Sequence, residues 1–80
     1  MLKDKKVVII GGSSGIGLES AKQVIAQGAE VIIASRSEDK LRNAKELLGD
    51  RATAFTLDTT QEQQVQSFFE KVGQFDHLVV

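Results

Sequence analysis

The sequence predicts an α/β fold in which a parallel sheet is covered by helices on both faces, and three observations predict it. Four uncharged β-branched residues, Val7 to Ile10, form a run suited to a strand buried on both faces. Short apolar runs and segments of helical period then alternate along the rest of the chain, as β-α-β-α-β-α-β. The connections are short and rich in glycine or polar residues, so each strand-helix-strand unit reads as a right-handed parallel crossover.

The elements follow in order. After the first strand comes a glycine-rich turn, and then Leu18, Ala21, Val24 and Ile25 recur at helical spacing, with Gly28 placed to stop the helix. Glu30 to Ala34 holds Val31, Ile32 and Ile33, a second buried strand closed by Ser35-Arg36-Ser37. Ser37 is a good N-cap for a second helix, which carries Leu41, Ala44, Leu47 and Leu48 and ends at Gly49. Ala52 to Leu57 makes the third strand, and Asp58 and Thr59 form the turn after it. Thr60 and Gln63 have capping-box spacing and open a third helix, with Val65, Phe68, Phe69 and Val72 on one face and Gly73 at its end. Phe75 to Val80 is a fourth apolar strand. Right-handed crossovers give the strand order 3-2-1-4.

Composition excludes several classes. Eighty residues make one small domain, in a size range where folding buries only about 60% of the chain's surface. Hydrophobic content of 41%, charged content of 26% and a net charge of −1 suit a soluble globular chain and give no reason to expect nucleic acid or a membrane as partner. Cysteine is absent, which removes disulfides, thiolate catalysis and cysteine-based metal sites; one histidine among scattered carboxylates suggests no metal site. Met1-Leu-Lys-Asp-Lys-Lys6 is short and charged and leads at once into the first strand, so a cytoplasmic location is expected. There is no linker, repeat or low-complexity tract; glutamines 61, 63, 64 and 66 read as the solvated face of the third helix.

The turn between the first strand and helix carries the chemistry. Gly11 lets the chain leave the strand in a tight turn, Gly15 removes a side chain where backbone must approach a pyrophosphate, and Gly17 lets the helix pack closely on the strand. The free N–H groups of the first helical turn, with the helix dipole, attract an anion. A glycine fingerprint alone would fit a merely tight βα connection. The strand before it and the amphipathic helix after it favour a phosphate-binding turn, so residues 1–80 are expected to be the N-terminal dinucleotide-binding half of a doubly wound, Rossmann-type fold. The spacing G-x-x-x-G-x-G differs from the commoner G-x-G-x-x-G, and no Gly-Lys-Ser or Gly-Lys-Thr follows, which argues against an ATP-type P-loop.

Ile10-Gly-Gly-Ser-Ser-Gly-Ile-Gly17 resembles the cofactor loop of the short-chain dehydrogenase/reductase family, usually Thr-Gly-x-x-x-Gly-x-Gly. The resemblance continues through Gly28-Ala-Glu-Val-Ile-Ile-Ala-Ser-Arg36, Leu57-Asp-Thr59 and Phe75-Asp-His-Leu-Val-Val80. One departure is Ile10, where the family usually has a threonine whose hydroxyl braces the turn.

The end of the second strand sets cofactor preference. A carboxylate there accepts from the adenosine ribose hydroxyls and repels a 2′-phosphate, whereas a nearby arginine does the opposite. NAD-preferring members of the family usually carry Asp at the position of Ser35; here Ser35 is followed by Arg36, whose guanidinium suits a phosphate, so NADP(H) is expected and NAD disfavoured. Ser13 and Ser14 offer hydroxyls to ribose or phosphate, or simply to the turn itself. The Ile16 side chain is expected to pack inward while its N–H faces the pyrophosphate. By resemblance, Asp58 should accept from the adenine amino group and Thr59 line that pocket; a turn or helix-cap role for Asp58 is equally open. His77, in the fourth strand, is given a structural role.

The resemblance implies hydride exchange between the nicotinamide and an alcohol or carbonyl substrate, with Asn, Ser, Tyr and Lys supplying the chemistry and Tyr and Lys spaced Tyr-x-x-x-Lys. The chain contains no tyrosine, so these 80 residues hold no catalytic residue of that set and are expected to be inactive alone. The chain reads as the first half of a longer sequence, and an open fourth strand would favour self-association. The alternatives are a non-catalytic nucleotide-binding module, a fragment completed by another chain, and a methyltransferase. The methyltransferase is disfavoured because Ser35 and Arg36 stand where its ribose-holding acid would be.

Overall fold

The computed structural model describes residues 4–11 and 15–79. The apolar run after the charged N-terminal segment forms strand β1, Lys6–Ile10, with Val7, Val8 and Ile9 buried. Helix α1 is Gly15–Ala26, strand β2 Glu30–Ser35 and helix α2 Glu38–Leu48; a single 3-10 turn over Gly49–Arg51 leads into strand β3, Ala52–Thr56. Helix α3, Glu62–Val72, and strand β4, His77–Val79, complete the order. The four strands are parallel in the order β3-β2-β1-β4, as predicted.

The pleat sorts the core into two layers. Register pairs Val7 with Val31 and Ile9 with Ile33, and these four residues point to one face with Ala52, under Ala21 of α1 and Leu41, Ala44 and Leu48 of α2. Val8, Ile32 and Ala34 point to the other face, where Leu57 and, from α3, Phe68 and Val72 cover them. Because β1 and β2 are covered on both sides, their sequences are continuous β-branched runs rather than alternating ones. An edge-to-face contact between Phe55 and Phe68, centroids 5.6 Å apart and planes at 80°, ties β3 to α3.

Several sequence expectations are corrected. Leu47 does not join the α2 core stripe: it is 66% exposed, because Leu41, Ala44 and Leu48 already define the buried face. The Thr60–Gln63 capping box does not form. Gln61 is the N-cap of α3 and makes no side-chain cap bond, and the Thr60 N–H that a capping box would give to the Gln63 side chain goes to Asp58 Oδ1. The fourth strand begins at His77, not Phe75: Asp76 binds the start of β1 with both its carboxylate and its N–H, and Phe75 turns its ring toward Phe69. Leu78 and Val79 are 44% and 42% exposed, since β4 pairs with β1 on one side and with no strand among the described residues on the other. Val80 lies outside the described residues.

Candidate functional site

The carboxyl ends of β1, β2 and β3 meet at one edge of the sheet. Backbone bonds hold them in step there: the Gly11 N–H donates to the Ala34 carbonyl at 2.6 Å, and the Leu57 N–H to the Ser35 carbonyl at 2.8 Å. Gly11 has φ +86°, the left-handed region that turns the chain out of β1, and a Cβ added there would meet no atom within 4 Å. Its glycine is therefore required by backbone conformation rather than by space. Gly15 and Gly17 lie in the first turn of α1, the part of a helix whose N–H groups have no intrahelical partner.

Between these strand ends lies a cleft of about 650 Å³ lined by Ile10, Gly11 and Ala34 to Ser37, by Lys40, and by Leu57 to Thr60. Its place, beyond the carboxyl ends of parallel strands, is where open α/β sheets bind ligands. Ser35 closes β2, and its hydroxyl accepts the Ser37 N–H at 3.4 Å. Arg36 follows, exposed, and Ser37 caps α2 by accepting the Lys40 N–H at 3.3 Å.

Across the cleft Asp58 Oδ1 accepts both the Thr60 N–H at 3.0 Å and the Thr60 hydroxyl at 2.6 Å, while the Asp58 N–H donates to Gln64 Oε1 at 3.1 Å. The Thr60 hydroxyl, then the Thr60 N–H and more weakly the Arg36 charge, hold the Asp58 carboxyl below its ordinary pKa against a small opposing effect of burial. Asp58 is thus an ionised turn residue, and both Thr60 bonds fall on Oδ1, leaving Oδ2 for a donor from the cleft.

The structure therefore brings Gly11, Ser35, Arg36, Asp58 and Thr59 to one cleft, with Gly15 and Gly17 at the start of α1. Ser13 and Ser14 lie outside the described residues, as does the side chain of Ile16. His77 is exposed on β4 and does not line the cleft. Lys40, Ser37 and Thr60 also line it; the sequence reading gives Ser37 and Thr60 capping roles alone and does not single out Lys40. For Lys40 a signal existed: a lysine in the first turn of a helix opposes the helix dipole and calls for a reason. Among the described residues no three His, Cys, Asp or Glu side chains cluster as metal ligands, and no helix is long and apolar enough to cross a membrane.

A parallel 3-2-1-4 sheet with helices on both faces and a polar cleft at its carboxyl edge defines a Rossmann-type α/β fold. Residues 5–80 match the short chain dehydrogenase family, and the chain belongs to it. Members of this family bind NAD(P) dinucleotides. The chain is 36% identical over 83 residues to 3-dehydrosphinganine reductase TSC10B of Arabidopsis thaliana, covering 99% of this chain and 25% of that protein. Among solved structures, a short chain dehydrogenase from Bacillus anthracis superposes with a TM-score of 0.90 at 30% identity, over 98% of this chain and 35% of that one. The 3-ketoacyl-(acyl-carrier-protein) reductase of Brucella melitensis, solved in complex with NADH, gives 0.85 at 30% identity, over 98% of this chain and 34% of that one. The chain thus spans a quarter to about a third of the length of these proteins.

Proposed function

We propose that this chain is the NADP(H)-binding portion of an oxidoreductase that transfers hydride between NADP(H) and an alcohol or carbonyl substrate. The observation that carries the reading is Arg36 on the cleft wall at the end of β2, where a ribose-binding carboxylate would otherwise stand. The residues of the cleft suit the group in charge and shape. A volume of about 650 Å³ lies within the range of about 300–1,000 Å³ typical of small-molecule clefts. Asp58 Oδ2 suits an adenine amino group, Thr59 the adjoining pocket wall, and Ser35 and Arg36 the ribose and its 2′-phosphate. Gly11 and the first turn of α1 through Gly15, Ile16 and Gly17 suit the pyrophosphate, and the sequence of the loop supports Ser13 and Ser14 as further hydroxyl donors to ribose or phosphate.

When bound, the nicotinamide supplies the hydride. The proton-exchanging tyrosine expected of the family is not among these 80 residues, which contain none. Substrate oxidation or reduction is therefore proposed of a protein that carries a Tyr-x-x-x-Lys segment beyond them, in the cytoplasm. A non-catalytic nucleotide-binding module, the second reading, would lack that segment.

Side-by-side titration of NADPH and NADH tests the cofactor reading. Tighter NADPH binding is expected; equal or tighter NADH binding overturns it, and would align this chain with the NADH-bound Brucella reductase. Sequence downstream of Val80 separates enzyme from module by the presence or absence of the Tyr-x-x-x-Lys pair.

A further inference from the structure

Strand β3 pairs with β2 on one side and with no strand among the described residues on the other. The Leu57 N–H donates to the Ser35 carbonyl at 2.8 Å, and backbone groups alternate sides from one residue of a strand to the next. Phe55 and Leu57 therefore turn inward to β2, whereas Ala54 and Thr56 turn both N–H and C=O to the open edge. Among the described residues nothing bonds to these four groups. Open edges are ordinarily guarded by a charge, a proline or a bulge. Ala52–Thr56 has neither a charge nor a proline, and its register with β2 is one to one throughout.

Beside this edge lies a groove of about 460 Å³ between β3 and α3, which shares only Leu57 with the cleft at the carboxyl ends of the strands. Phe55 and Phe68, edge to face, form part of it. Its helical wall carries Gln63, Ser67 and Lys71, a single stripe at successive steps of four residues. At 1.5 Å per residue that stripe is about 12 Å long, the span of about four residues of extended chain. Lys71 is the one charged residue of the groove, and among the described residues it is in no ion pair.

We infer that this groove is a docking site for an extended peptide bearing an acidic side chain. The peptide adds to β3 through the open backbone groups of Ala54 and Thr56, and its carboxylate meets Lys71. A free strand edge flanked by a helix suits such strand addition: main-chain bonds hold the peptide, and alternate side chains enter the groove. A second copy of this chain is a poorer occupant. Self-pairing of β3 would set the same groove against itself, and no carboxylate lines it to neutralise Lys71.

The test titrates the peptide Ac-Thr-Val-Glu-Val-Thr-amide, and its counterpart with Lys in place of Glu, into the isotope-labelled chain, with NMR amide shifts as the readout. A peptide concentration of about 5 mM fills most of a site whose Kd is about 1 mM. Shifts are expected at Ala54, Thr56, Ser67 and Lys71, with the acidic peptide bound about two- to fivefold more tightly, the scale of an exposed ion pair. Lys71→Glu, an exposed change on α3, should reverse that order. Ala54→Pro removes an edge N–H that no sheet bond uses and should weaken both peptides. No shift with either peptide, equal affinity for the two, or an order that Lys71→Glu leaves unchanged would overturn the proposal. Shifts at Ala54 and Thr56 that follow protein concentration instead of peptide would also overturn it, making the occupant a second copy.

Discussion

The Thr60 hydroxyl donates to Asp58 Oδ1 at 2.6 Å, and the Thr60 N–H joins it on the same oxygen at 3.0 Å. This pair makes the turn after β3 and holds the Asp58 carboxylate ionised on the cleft wall. Because the Thr60 hydroxyl is the largest influence lowering the Asp58 pKa, Thr60→Val should raise that pKa toward its ordinary value, and Thr60→Ser should leave it low. NMR titration of the side-chain carboxyl carbon reads this directly; an unmoved Asp58 titration in Thr60→Val would contradict it.

The same depression gives a pH dependence of stability. A carboxyl whose folded pKa lies below its unfolded value stabilises the fold above the unfolded pKa and loses that contribution as pH falls through the folded one. Asp58→Asn should therefore flatten part of the acid limb of a stability-versus-pH curve measured by urea unfolding. The change should be confined to acid pH, at and below the ordinary carboxylate range. An identical acid limb in wild type and variant would count against the Thr60 bonds surviving in solution.

Helices α2 and α3 differ at their starts in a way that mutation can exploit. Ser37 caps α2 through its hydroxyl, so Ser37→Ala should destabilise the fold by about 1 kcal/mol. Gln61 holds an N-cap backbone conformation, φ −104° and ψ 101°, without any side-chain bond to the helix. Gln61→Asp supplies the missing acceptor and a favourable charge for the dipole, and should stabilise by roughly 0.5–1 kcal/mol. Chemical unfolding midpoints that move in the same direction for both variants would refute this account of the caps.

The contrast between these caps also shows what the sequence makes legible. Ser37 is readable because its neighbours leave it one role, at the boundary between a strand and an amphipathic run. Thr60 matches the capping-box spacing equally well, yet Asp58, two residues back, takes its hydroxyl and its N–H; spacing alone does not rank two acceptors competing for one donor. The buried strands and their order are readable because β1 and β2 are apolar without interruption and the crossovers have one allowed hand. Phe75 reads as strand because it is apolar, whereas its packing on the Phe69 ring, centroids 5.8 Å apart, is a tertiary fact. Lys40 carries a sequence signal only as a cation set against the helix dipole; its place on the cleft wall depends on how α2 and the end of β2 come together.

Gly11 isolates a backbone effect from a packing one. With φ +86° and no atom within 4 Å of an added Cβ, Gly11→Ala should destabilise by about 1–2 kcal/mol through conformation alone. Gly11→Asn, which tolerates the left-handed region better, should be less destabilising than Gly11→Ala despite its larger side chain. A reversed ranking in thermal unfolding would mean that space, not φ, selects glycine here.

The two core layers share no residue, and the sheet stands between them. Ile33, fully buried under α1 and α2, should lose about 0.5–1.5 kcal/mol on Ile33→Val, a change the fold survives. Phe68 belongs to the other layer and touches Phe55 and Phe69 edge to face, with centroid separations of 5.6 and 5.1 Å. Phe68→Ala should remove about 3–5 kcal/mol, enough to unfold a domain of this size, whereas Phe68→Leu keeps much of the volume and allows measurement. Since no side chain is common to both sites, Ile33→Val and Phe68→Leu should add to within about 0.5 kcal/mol in the double variant. A larger interaction energy from urea unfolding would mean that strain crosses β2 from one layer to the other. The cleft at the end of that strand would then be mechanically coupled to the packing of α3.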